Sequence, residues 1–125
     1  MEDPQSPSDR PAAGALAPPD VPQRLVELSA DTRAAVLLEA SGGTSSAAGS
    51  ADGEELAEGA RELLRAVDKA AEEPPSELEA QVLGGSVFAV RGPRWTLVAV
   101  ARRSALSSLM LYDMRLLLRG LQEGA

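Results

Sequence analysis

The stretch from Asp52 to Glu73, closed by Pro74-Pro75, restricts the possible folds of this chain more than any other segment. Leu56, Ala60, Leu63, Leu64, Val67 and Ala71 recur there at helical spacing, which gives one helix an apolar side along its whole length. Asp52 is placed to cap it, and Glu54 and Glu55 follow in a first turn where negative charge is favoured. The paired prolines stop it. An amphipathic helix needs an apolar layer to lie on, and the residues after the stop change period to supply one.

Leu78–Val82 is a candidate strand, Gly84-Gly85 a turn, and Val87–Val90 a second strand. Arg91-Gly92-Pro93-Arg94 is turn chemistry, and Thr96–Val100 is a third strand rich in β-formers, so the last two runs make a hairpin. Ser104–Leu121 closes the chain as a helix. Upstream, Pro22 to Leu28 reads as a short helix with Asp20 as its cap. Ala34–Ala40 is expected to be a buried strand bounded by Gly42-Gly43, although its composition also suits a helix. Residues 41–53 are small and polar, a loop with one weak strand around Ser45–Ala48. The expected fold class is α/β of the α+β type, in the order α-β-(β)-α-β-β-β-α.

With 125 residues the chain has room for one domain. Residues 1–20 hold five of its nine prolines and are expected to form a disordered Pro-rich tail, leaving residues 21–122 as the folded unit. A proline-rich docking peptide is the other reading of that tail. Nineteen acidic against twelve basic residues give a formal charge of −7, which opposes nucleic-acid backbones and anionic membranes alike. With no Cys and no His, disulfides, thiolate nucleophiles, imidazole bases and the usual zinc sites are excluded. Gly42-Gly43-Thr44-Ser45 lacks the spacing and the lysine of a phosphate loop. No catalytic residues, cofactor or metal are expected, and no basic, apolar secretory leader is visible, so the expected location is the cytoplasm.

The long helix ELAEGARELLRAVDKA, the hairpin SVFAVRGPRWTLVAV and the closing segment ALSSLMLYDMRLLLRGL resemble the roadblock/dynein-light-chain superfamily. The resemblance runs from about Val21 to Leu121. It implies a central antiparallel sheet of about five strands, with the long helix on one face and the terminal helices on the other. It also implies a dimer with long helices side by side and sheets joined, a partner that is itself or a paralogue, and a role as scaffold or regulator of a Ras-like small GTPase. The family places an Asp-Gly turn and a second strand after the first; here that region is Ser-Gly-Gly-Thr-Ser-Ser-Ala-Ala-Gly, and a frayed sheet edge is the expectation.

On the long helix Leu56, Leu63, Leu64 and Val67 are expected to face the sheet, with Gly59, Ala66 and Ala70 along one margin. Small residues in a row admit a second helix, so this margin, with Glu62 beside it, is the candidate dimer seam; the other reading is that alanine is simply abundant. Glu54, Glu58 and Glu62 form an acidic row and Arg61, Arg65 and Lys69 a basic one, either a complement to an antiparallel copy or an ordinary solvated face. Arg94 and Trp95 are partner-binding candidates, the alternative for Trp95 being a lid on the core. Asp113, between Leu109, Leu116 and Leu117, is expected to be a buried structural carboxylate paired with Arg91, Arg94 or a backbone amide. A chaperone-like adaptor binding clients along a sheet edge is the second functional reading.

Overall fold

The computed structural model describes residues 16–50 and 52–124. A short 3-10 turn, Pro18–Asp20, leads into α1 (Val21–Leu28). Strands β1 (Thr32–Glu39) and β2 (Thr44–Gly49) precede the long α2 (Gly53–Ala70). Then come β3 (Glu77–Val82), β4 (Gly85–Arg91), β5 (Trp95–Ala101) and α3 (Ser107–Gly124). The five strands form one antiparallel sheet in the order β2-β1-β5-β4-β3. The chain therefore leaves β2 at one edge and returns as β3 at the other, and α2 spans the gap. Residues 1–15 of the expected tail lie outside the described residues; Leu16 packs against the core.

Strand pleating divides the core into two layers. On one face Ala35, Leu37, Phe88, Val90, Leu97 and Ala99 meet Val21 and Leu25 of α1 and Met110, Met114, Leu117, Leu118 and Leu121 of α3. Fully burying side chains such as Phe88 or Leu25 contributes about 1.5–3 kcal/mol each. Buried Thr32 and neighbouring Ser29 direct their hydroxyls to the Met110 sulfur at 3.6 and 3.5 Å, which seats the first turn of α3 against the start of β1. On the other face Val36, Leu38, Ala89 and Val98 meet Ala57 and Ala60 of α2.

Three expectations are corrected. The side of α2 against the sheet centres on Ala57 and Ala60, with half-buried Leu56 and Leu64 packed against the same cluster, while Leu63 and Val67 lie outside it. Alanine lets the helix settle close to the strands, which leaves Leu63 and Val67 outside the contact. The second strand is a full one: β2 pairs along β1 from Gly49 to Thr44 with one bulge at Leu37/Leu38. Its weak propensity is overridden by tertiary cover, since α1 and the preceding 3-10 turn lie against it and Ser46 donates to the Pro18 carbonyl at 3.4 Å. Gly49 ends it with φ +106, where a Cβ would run into the Arg33 carbonyl. Finally, Asp20 sits at the N-cap of α1 but makes no side-chain capping bond.

Candidate interaction surface

The cap and two arginines fix how α2 lies on the sheet. Asp52 accepts from the Glu54 and Glu55 amides at 2.9 and 3.1 Å. Arg61 donates to the Gly42 carbonyl at 2.9 Å and to the Thr44 hydroxyl at 3.1 Å. Arg91, on β4, grips Asp68 with two parallel bonds of 2.8 and 3.0 Å and also donates to the Pro75 carbonyl at 3.3 Å. Arg61 and Asp68 are seven residues apart and share one flank of the helix. That flank is anchored to loop and strand. The opposite flank carries Gly59, Ala66 and Ala70, all exposed, with half-buried Leu63 between them and exposed Glu62 alongside. A Cβ built on Gly59 meets nothing within 4 Å, so nothing in the chain itself calls for glycine there.

On the same face of the sheet, β3 turns Leu78, Ala80 and Val82 toward the α2 side, in register with Ala89, Val87 and Gly85 of β4. Leu78 and Val87 join the cluster under α2 but remain only partly covered. Among the described residues β3 pairs with β4 alone, and its outer edge is open. β2, at the other edge, likewise pairs with one strand, β1, with α1 and the 3-10 turn packed near it. An unpaired edge and a small-residue helix flank thus occur on one apolar side of the molecule.

The remaining candidate residues do not converge. Trp95 packs onto the α1/α3 core with its indole nitrogen enclosed, in the manner of a lid, whereas adjacent Arg94 is exposed in the hairpin turn. Asp113 is half-buried rather than buried, and no described side chain donates to it; Arg91 is engaged by Asp68 instead. The cause is the orientation of α3. Its inward side is Met110, Met114, Leu117, Leu118 and Leu121, so Leu109 and Leu116 beside Asp113 face outward. Arg115 is held by Glu77 of β3 at 2.9 and 3.0 Å, while Arg119 is exposed. A cleft of about 360 Å³ between α2 and the strand ends is lined by both signs of charge, including Glu39, Arg61, Arg65, Asp68 and Arg91. Among the described residues no group of three or more acidic side chains is placed to hold a metal ion, and no helix is long and apolar enough to cross a membrane.

This architecture is that of the roadblock domains. A Roadblock/LC7 domain from Streptomyces avermitilis superposes with a TM-score of 0.67 at 20% identity, covering 84% of this chain and 94% of that one. MglB of Myxococcus xanthus gives 0.70 at 18% identity, covering 84% and 91%. A profilin from Schizosaccharomyces pombe gives 0.60 at 8% identity, covering 79% and 91%, so the wider profilin-like fold is shared too. No family model matches the chain, and no curated protein does. At these identities the likeness is one of fold.

Proposed function

We propose that this chain is a non-catalytic dimeric module of the cytoplasm that scaffolds or regulates a Ras-like small GTPase, paired with itself or with a roadblock paralogue. The observation that supports it is the coincidence of an open β3 edge with the free Gly59–Ala66–Ala70 flank of α2 on one side of the sheet. A second copy approaching there would extend the sheet and lay one α2 against another. Light scattering of the full chain should give twice the chain mass. Ala66→Glu, at an exposed position, should return it to a monomer with its helical and strand content intact. Mixing the chain with a Ras-like GTPase encoded beside it, loaded with GDP or a GTP analogue, should give a complex in one nucleotide state. A stable monomer removes the dimer, and no complex in either state removes the GTPase.

The same open edge supports the second reading, an adaptor that takes an extended client segment as an added strand. A co-purifying peptide that protects β3 amides from hydrogen exchange would favour it over the GTPase.

A further inference from the structure

The outer side of α3 is apolar where solvent would ordinarily demand charge. Leu106, just ahead of the helix, and Leu109, Tyr112 and Leu116 on it are 67%, 55%, 52% and 46% exposed. The inner side of α3 already fills the core with Met110, Met114, Leu117, Leu118 and Leu121, and this second stripe lies outside that cluster. It lies on the sheet face opposite α2. Pairing through α2 and β3 would leave it uncovered.

Charge around the stripe departs from the rest of the chain. From Leu83 to Ala125 there are six arginines and two carboxylates, Asp113 and Glu123, whereas residues 1–82 carry seventeen acids against six bases. Exposed Arg102 and Arg103 stand in the turn before α3, and exposed Arg119 lies one turn beyond Leu116. Asp113 is half-buried at the middle of the stripe between Leu109 and Leu116. Arginines thus stand beyond both ends of the stripe, apolar side chains run along it, and one carboxylate sits at its centre.

We propose that the outer face of α3 docks an amphipathic helix of another protein, one with carboxylates toward its ends and a cationic residue midway along its apolar side. Such a helix would cover Leu106 to Leu116, set its acids against Arg102, Arg103 and Arg119, and satisfy Asp113. A second copy of this chain fits badly. Two α3 helices crossing antiparallel about their middles would set Asp113 against Asp113 and Arg119 toward Arg102 and Arg103. An anionic membrane fits badly too, because the Asp113 carboxylate would be carried into the interface and the whole chain is acidic.

The test uses the full chain and two labelled synthetic helices as long as α3. Both are leucine-faced; one has glutamates at its ends and a central lysine, and the other has these charges exchanged. By fluorescence anisotropy the acid-ended helix should bind about tenfold tighter than its counterpart. Leu109→Glu with Leu116→Glu should weaken it by about tenfold or more. Arg119→Glu, a change at an exposed site that the fold tolerates, should weaken it by about threefold and decides the question if the leucine variant is unstable. No binding of the acid-ended helix, equal binding of both helices, or binding indifferent to these variants overturns the proposal. So does sedimentation of the chain with phosphatidylserine vesicles that the leucine variant abolishes, which would assign the face to lipid. A fall in particle mass in the leucine variant would assign the face to a second copy and overturns the proposal as well.

Discussion

The two faces of the sheet are built on different principles. Against α1 and α3 the sheet is covered by large side chains, with Phe88, Leu25, Leu37, Leu97 and Met114 wholly enclosed. Against α2 the fully buried contact of the helix is two alanines, and Leu56, Leu64, Leu78 and Val87 are only partly covered. The first face is complete within one chain. The second has enough contact to hold α2 in place and leaves apolar edges over. In a small domain, an incompletely covered face beside an open strand marks where assembly can supply what folding does not.

That contrast can be broken at three positions. Phe88→Ala should cost about 3–5 kcal/mol in denaturant unfolding, because the complete face cannot collapse around the lost ring. Equal stability would mean that face is looser than its packing implies. Ala57→Leu should cost about 1–3 kcal/mol by lifting α2 off Val36 and Leu38, read from the urea midpoint. A neutral result would mean α2 is free to shift, and its flank would lose its defined position. Gly59→Ala has the smallest effect. It should stabilise an isolated chain by about 0.5–1 kcal/mol, since the new methyl meets nothing. If the melting temperature instead falls, and does so more at high protein concentration, Gly59 is packed against a partner.

The legible parts of this fold are those with local chemistry of their own. Asp52 and the paired prolines bracket α2 to within three residues, and the Gly-Pro turn and alternating β-formers place the β4–β5 hairpin. Legibility fails where one residue type serves two purposes. Leucine occupies both sides of α3, so its spacing does not reveal that Met110 and Met114 point inward, and on that spacing Asp113 falls in the core. Alanine occupies both the sheet contact and the free flank of α2, so Ala57 gives no signal while Leu63 and Val67 point, on spacing alone, to the strands. The strand Thr44–Gly49 has little propensity of its own and exists because β1 and α1 are there to hold it. The outer stripe of α3 has one signal in the sequence, an aromatic and two leucines on a helix whose other side is already apolar.

The central pairing of the sheet, β1 with β5, joins Thr32–Glu39 to Trp95–Ala101. During synthesis the first hairpin therefore waits for its inner neighbour until the last quarter of the chain has left the ribosome. Until then Val36, Leu37 and Leu38 have no permanent cover on that side. Completion comes in one late step, and a nascent chain halted before Trp95 should remain a substrate for chaperones and proteases.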